Sequence, residues 1–238
     1  MAAALLLSFS VSRLYSAPPP ERSARARVLI LGGGASHDFS KMYGELDAAD
    51  LQHDGFSVKY TENLQDLPDQ LRSADVLIQA SNQTAPDAAT RSAIPQFLAR
   101  GGGLVAVHAG VWYNWSDWPD YNRLLIGGGT REHDKLGPFV VTVTHPENPV
   151  MAGVPAQFSV EDELYHQTID PAGAPVEVLA TAHSTITGES YPSVWVVKGQ
   201  PGRIVGIALG HDERTHQNPT YRKIIENAVR WSGSRSPR

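Results

Sequence analysis

Three of the nine histidines follow stretches that the sequence predicts to be buried parallel strands. His37 follows the first apolar stretch and its glycine loop, His108 follows the fourth directly, and His211 follows the last strong one. Ligands of open parallel sheets bind beyond the carboxyl ends of the strands, so we expect the three imidazoles to share one edge. Imidazole serves as a general base or a metal ligand at neutral pH. The sequence therefore predicts a catalytic or metal site made of these three side chains.

His108 stands at a sharp strand-to-loop turn, in Leu104-Val-Ala-Val-His-Ala-Gly110. Hydrolases place a nucleophile at such an elbow, and amidotransferase-type domains place a cysteine there. The chain has no cysteine, which excludes thiol catalysis and cysteine-ligated zinc. A buried histidine that merely bonds a backbone carbonyl is the alternative. The elbow favours a functional role, with His108 as general base or metal ligand.

The segment Glu161-Asp-Glu-Leu-Tyr-His166 places three carboxylates, a phenol and an imidazole within six residues. Clustered acids are usually a solvated turn. In an extended segment, however, Glu161, Glu163 and Tyr165 share one face, while Asp162 and His166 share the other. We predict that Glu163 takes part in catalysis or completes a metal shell, and that Tyr165 contacts the substrate.

A second acidic and histidine-rich segment is Gly210-His-Asp-Glu-Arg-Thr-His216. Zinc and similar divalent metals are commonly bound by two or three imidazoles and a carboxylate. The chain lacks a fixed zinc spacing such as His-Glu-x-x-His, so a divalent, zinc-like metal is predicted only if His37, His108 and His211 converge. Asp212 of this segment and His133 are predicted to contact the substrate.

The loop Gly32-Gly-Gly-Ala-Ser-His-Asp38 superficially resembles a phosphate-binding loop. It lacks both the Gly-x-Gly-x-x-Gly spacing and the Walker lysine, so we predict no nucleotide cofactor. The glycines would let the backbone pass close to a ligand. For Asp38 two roles are equally open, substrate contact or capping of the following helix.

A dense aromatic stretch follows the elbow and includes Trp112, Tyr113, Trp115, Trp118 and Tyr121. Most such clusters form core. Polar residues alternate with these rings, as in a wall on which a sugar stacks, and Trp112 is predicted to contact the substrate.

Short apolar strands alternate with amphipathic helices from residue 27 onward, which predicts an α/β fold with a mainly parallel, doubly wound sheet. Helices are expected over 39–55, 86–100 and 219–231, and in part of 113–126. Strands are expected over 28–31, 56–60, 76–80, 104–107, 139–143, 176–180, 194–197 and 204–209. Nothing marks a second domain.

The 238 residues are 41% apolar and 19% charged, with a formal net charge of −5. Since the first 27 residues carry a local +3, the remainder is near −8, which argues against a nucleic-acid partner. Residues 1–26 are interpreted as a leader, either a signal peptide with a linker or a disordered extension, and 233–238 as a disordered tail. Export would make the protein periplasmic or secreted; otherwise it is cytoplasmic. No integral membrane segment is predicted, and the oligomeric state is left open.

Six segments in order resemble the ThuA-like, trehalose-utilisation family across about residues 27–232. They are Gly34-Ala-Ser-His-Asp-Phe39, Gly101-Gly-Gly-Leu-Val-Ala-Val-His108, Leu125-Ile-Gly-Gly128 with His133, Glu161-Asp-Glu-Leu-Tyr165, Tyr191-Pro-Ser-Val-Trp195 and Gly202-Arg-Ile-Val-Gly-Ile-Ala-Leu-Gly-His-Asp212. The resemblance implies a three-layer flavodoxin-like sheet of the class I glutamine amidotransferase-like superfamily, without the amidotransferase nucleophile.

The same resemblance implies a role in disaccharide or glycoside catabolism, at the level of oxidised 3-keto-glycosides. Together with the histidines, it favours an enzyme (a lyase, isomerase or hydrolase) that uses acid–base or metal-assisted chemistry on a small carbohydrate. The alternative is a non-catalytic sugar-binding or interaction protein on the same fold.

Overall fold

The computed structural model describes residues 26–85 and 87–234. The predicted leader up to residue 25, Pro86 as the start of a helix, and the end of the predicted tail at 235–238 lie outside the described residues. Among the described helices, none has the length and apolar character needed to cross a bilayer.

A nine-stranded sheet forms the centre of the molecule, in the order β2-β1-β3-β4-β11-β10-β9-β6-β7. A separate two-stranded ribbon pairs β5 with β8. The strands are β1 Arg27–Leu31, β2 Ser57–Thr61, β3 Val76–Gln79, β4 Gly103–Val107, β5 Gly128–Gly129, β6 Gly137–Val143, β7 Gln157–Asp162, β8 Thr168–Ile169, β9 Val176–His183, β10 Ser190–Val197 and β11 Ile204–Ile207.

Five neighbouring strands, from β2 through β1, β3 and β4 to β11, are parallel. Every residue of β3, β4 and β11 is buried, as expected for strands covered on both faces. Helices 40–53 and Pro219–Gly233 contribute to the core on one face, and helices Ala88–Ala99 and Tyr121–Ile126 to the core on the other. The predicted α/β class with three layers is confirmed.

The remaining strands continue the sheet as an antiparallel wing of β10, β9, β6 and β7. β7 was not predicted, although its exposed and buried residues alternate strictly. It matters for function because it ends at Asp162, beside the cluster of acids identified in the sequence.

The predicted helices are present, with small changes at their ends. Asp87 caps Ala88–Ala99 by accepting from the Thr90 amide, and Asn218 caps the closing helix, which has Pro219 in its first turn. The helices are Ser40–Asp47 (with π-type turns) continued by Ala48–His53, Leu67–Gln70, Ala88–Ala99, Tyr121–Ile126, Glu213–His216 and Pro219–Gly233, with 3₁₀ turns at Leu71–Ser73, His108–Val111 and Pro149–Met151.

Candidate functional site

The structure brings His37, His108 and His211 together at the carboxyl edge of the parallel strands. They follow β1, β4 and β11, which lie close to one another in the sheet. The ring of His37 is 4.9 Å from that of His108 and 5.0 Å from that of His211, and the rings of His108 and His211 are 5.5 Å apart. The convergence predicted from sequence is therefore present, while the chemical role of the cluster stays a prediction.

His108 is fully buried at a strained elbow. Its φ of 46° lies in the left-handed region that side chains with a Cβ rarely adopt. Two residues later, a Cβ on Gly110 would lie 2.0 Å from the Gln79 carbonyl oxygen, so this turn requires glycine. The elbow that the sequence indicated thus exists, and it directs the imidazole toward the cluster.

The partners of His108 define a neutral imidazole. Its Nδ1–H donates to the Ala208 carbonyl at 2.9 Å, and its Nε2 accepts from the Tyr165 hydroxyl at 2.9 Å. The Tyr165 ring also stacks on the imidazole with a centroid distance of 4.4 Å. Burial, reinforced by the nearby His37, holds the pKa of His108 well below its ordinary value.

His37 is carried by the glycine loop after β1. The loop is held by Asn82, whose amide bonds both the N–H and the C=O of Ala35, and by Gln83, which donates to the Gly32 carbonyl. The glycines of this loop therefore lie close to protein side chains, whereas the sequence predicted that they would lie close to a ligand. Burial, with His211 adding to it, lowers the pKa of His37 to about 4.

The pKa of His211 is shifted upward, in the direction opposite to the shifts of His37 and His108. The Nδ1 of His211 lies 3.1 Å from Glu163 Oε2. The Glu163 carboxylate raises the pKa of His211 against the opposing effect of burial. Nδ1 of His211 and Nδ1 of His37 are both buried, and within the described part of the chain neither has an aligned hydrogen-bond partner.

Glu163 lies among the histidines. Besides its contact with His211, its carboxylate is 3.8 Å from His108 Nε2 and 3.6 Å from His133 Nδ1. Although burial penalises its charge, the contacts with His211, His133 and His37 hold the pKa of Glu163 below its ordinary value. The carboxylate of Glu163 is thus in contact with three imidazoles.

A cavity of about 430 Å³ opens onto this cluster. Its volume lies in the range of small-molecule sites. Trp112 packs edge-on against Tyr165, with a centroid distance of 5.3 Å, and the two rings form an aromatic wall. The lining consists of rings, amides, a carboxylate and hydroxyls: Ser36, His37, Asn82, Ala109, Trp112, Asn114, His133, Glu163, Tyr165 and His211.

Two predicted substrate-binding residues do not line this cavity. The Asp38 carboxylate accepts from the Lys41 amide, which is the capping alternative, and Asp212 caps Glu213–His216 and pairs with Arg214. The next tryptophan of the aromatic stretch, Trp115, is not in the cavity lining but is buried against Tyr121 in the core.

The prediction that Glu161 shares a face with Glu163 and Tyr165 is wrong. The strand ends at Asp162, so alternation does not continue to Glu163, and Glu161 is exposed and paired with Arg214. Glu163 and Tyr165 do reach the cavity. His166 pairs with Asp134 at 2.8 Å and stacks on a tyrosine of β10, away from the cavity lining.

Asp162 is a structural element of the site that was not predicted from the sequence. It is fully buried, and it accepts from the backbone N–H groups of Glu163, Gly210 and His211, and from the Thr215 hydroxyl. One carboxylate therefore ties the segment that carries Glu163 to the loop that carries His211. Alternation along β7 was the available signal, since Phe158, Val160 and Asp162 share its buried face.

The three histidines fit a divalent metal. One nitrogen from each lies within 4.8 Å of the others. Metal ligation requires neutral imidazole, which is the state of His37 and His108, and buried nitrogens without partners are what a ligand would satisfy. Glu163 is the nearby carboxylate that could complete the set.

Comparisons with known proteins agree with this architecture. A family model, ThuA (trehalose utilisation), matches residues 27–232. No match to the sequence is found among curated proteins.

Solved structures show the same fold. A ThuA-like protein from Bacteroides uniformis is 24% identical with a TM-score of 0.73, over 90% of this chain and 95% of its own. One from Parabacteroides merdae is 19% identical with a TM-score of 0.74, over 88% and 90%. A carbohydrate deacetylase is 10% identical with a TM-score of 0.58, over 87% of this chain and 32% of its own.

Proposed function

The chain belongs to the ThuA, trehalose-utilisation family, and from that premise we propose that it is an enzyme of carbohydrate catabolism that acts on a glycoside or 3-keto-glycoside. The family supports a role connected with carbohydrates. The reaction is inferred from the cavity, whose aromatic wall and polar lining suit a sugar.

One observation carries the mechanism, namely that His37 and His211 are neighbours whose pKa values are shifted in opposite directions. The pKa of His37 is about 4, so at neutral pH it is an unprotonated base. The pKa of His211 is raised beside Glu163, which favours the protonated acid. Two titratable groups whose environments separate their pKa values are the pattern of a general base and a general acid.

In a 3-keto-glycoside the ketone acidifies the C–H bond at C2. His37 takes this proton, the electron pair of the C–H bond forms a C1–C2 double bond, and the glycosidic C1–O bond breaks. His211 then protonates the departing oxygen. The products are an unsaturated keto-sugar and an alcohol, so the elimination consumes neither water nor an oxidant.

The remaining residues orient these two groups. His108 has its basic nitrogen occupied by the Tyr165 hydroxyl, so it fixes Tyr165 at the cavity wall. Glu163 lies 3.1 Å from Nδ1 of His211 and favours the protonated form of this imidazole. Positioning of this kind supplies part of the barrier reduction, because the reacting groups are already held in the geometry of the reaction.

A divalent metal held by His37, His108 and His211 is a second candidate for the same site. The close approach of the three rings favours it, as does the buried Nδ1 of His37, which has no aligned hydrogen-bond partner among the described residues. Such a metal would supply Lewis-acid stabilisation of the oxygen that becomes negative as the proton leaves.

The test combines metal analysis of the purified protein with turnover assays on glycosides and 3-keto-glycosides, for the wild type and His108→Ala. We expect turnover of a keto-glycoside that the variant loses. A metal-free wild type that turns over neither class contradicts the enzyme proposal. If the same protein binds these sugars without converting them, it is a non-catalytic sugar-binding protein.

A further inference from the structure

Beneath the cavity, the peptide of Gly210 is held from both sides. Its N–H donates to Asp162 Oδ2 at 2.7 Å. Its carbonyl accepts from the His216 imidazole at 3.1 Å and from the Tyr43 hydroxyl at 3.2 Å. This glycine has a φ of 128° and precedes His211, so its position fixes where the chain presents the His211 ring.

Both nitrogens of His216 face acceptors, which is the hydrogen-bonding pattern of an imidazolium. Nε2 faces the Gly210 carbonyl, and Nδ1 lies 2.6 Å from Asp47 Oδ1. A neutral imidazole could donate from one nitrogen only. Asp47 also accepts from the Tyr221 hydroxyl, and both members of the pair are buried, with Asp47 3% and His216 0% exposed.

We propose that the buried Asp47–His216 pair is a positioning element of the site, which holds the Gly210 carbonyl and thereby sets the place of His211 beside Glu163. The inference rests on the proposed function for its catalytic consequence. Its structural content, the placement of His211, can be tested without any substrate.

Stability alone does not account for this pair. Apolar side chains of similar volume commonly replace a buried ion pair with equal or better stability. No apolar group can donate to the Gly210 carbonyl, however, so the replacement would leave this carbonyl with the Tyr43 hydroxyl as its remaining donor of the two. The donor function of His216 is therefore what an apolar replacement would remove.

The experiment uses the double variant Asp47→Leu/His216→Phe, which exchanges the ion pair for apolar side chains so that the fold is retained. Imidazole ¹⁵N NMR at pH 7 first establishes the charge state of His216 in the wild type. The His211 signals of the double variant are then compared with those of the wild type in the absence of ligand. Titration with ZnCl₂ and kcat on a 3-keto-glycoside report the consequence for the site.

We expect both nitrogens of His216 to be protonated in the wild type, and the His211 signals to shift in the double variant. Loss of an outer partner of a site typically costs about 10–100-fold in metal affinity or activity, and a loss of that size is expected here. Asn227→Ala is the matched control. It removes a buried amide that bonds the Val150 and Ala152 carbonyls on the same side of the sheet, so it should lower stability without moving His211.

A His216 ring with one protonated nitrogen, or His211 signals unchanged in the double variant, overturns the inference. If the wild type neither binds zinc nor turns over a sugar, the proposed function fails by itself. The NMR comparison still decides whether the Asp47–His216 pair positions His211.

Discussion

A cluster of histidines and a single buried histidine lie at the same edge of the sheet and have different surroundings. In the cavity, Nδ1 of His37 is buried without an aligned partner among the described residues, and Nδ1 of His211 lies 3.1 Å from Glu163. Below the cavity, both nitrogens of His216 are used, by Asp47 and by the Gly210 carbonyl. The first arrangement leaves a nitrogen of His37 available to a ligand, and the second leaves none on His216.

The difference shows that burial alone does not decide what a histidine does. His108 and His216 are both 0% exposed. His108 faces one donor and one acceptor and is neutral, whereas His216 faces two acceptors and is charged. The partners, which come from distant parts of the chain, set the charge state and hence the role.

Removing the base should have the largest effect. General acid–base catalysis contributes about 10²–10⁴-fold to rate. We therefore expect His37→Ala to lower kcat/KM on a 3-keto-glycoside by about that factor, with little change in the free energy of unfolding. Steady-state kinetics and thermal unfolding measure the two. His53→Ala is the control, because His53 is an exposed residue at a helix end; equal losses in both variants would contradict the role of His37.

Removing one member of the Asp47–His216 pair should mainly lower the free energy of unfolding. Asp47→Ala leaves the His216 imidazolium buried without its counter-ion, and removing one partner of a buried pair costs about 3–5 kcal/mol. Urea unfolding should show this loss, whereas the same measurement on His37→Ala should not. A change within about 0.5 kcal/mol for Asp47→Ala would show that the Asp47–His216 contact contributes little to stability.

The cavity histidines could be predicted from sequence because the rule behind them is local. A side chain that follows a buried parallel strand must lie at the carboxyl edge, and this placed His37, His108 and His211 together. Asp162 and the Asp47–His216 pair could not be predicted in the same way. Asp47 and His216 are 169 residues apart. Their contact depends on how the first helix packs against the short helix Glu213–His216.

Glu161 shows the limit of a periodic pattern. The prediction that it shares a face with Glu163 assumed that the strand continued, but β7 ends at Asp162. One residue beyond a strand, alternation carries no information about direction. Glu163 lies in the cavity lining, as predicted, whereas Glu161 is exposed and paired with Arg214.

The pH profile tests whether His37 and His211 differ as base and acid. The base must be unprotonated, so kcat/KM should fall below about pH 4, where His37 gains its proton. The acid must be protonated, so it should also fall above the raised pKa of His211. Glu163→Gln removes the carboxylate that raises this pKa, and the alkaline limb should move to lower pH. An unmoved limb would assign it to another group.

The smallest effect is expected at the aromatic wall. Trp112 lines the cavity and packs on Tyr165, and its indole has no titratable group that could take part in a proton transfer. An aromatic contact is worth about 0.5–1.5 kcal/mol, so Trp112→Ala should raise KM about 2–10-fold and leave kcat unchanged. Trp118→Ala is the matched control, since Trp118 packs on Trp115 and Tyr121 in the core and should lose stability without a change in KM. If both variants raised KM equally, the rise would come from a general loss of stability and not from a lost contact between Trp112 and the sugar. A rise confined to Trp112→Ala would separate the residues that hold the sugar from the histidines that act on it.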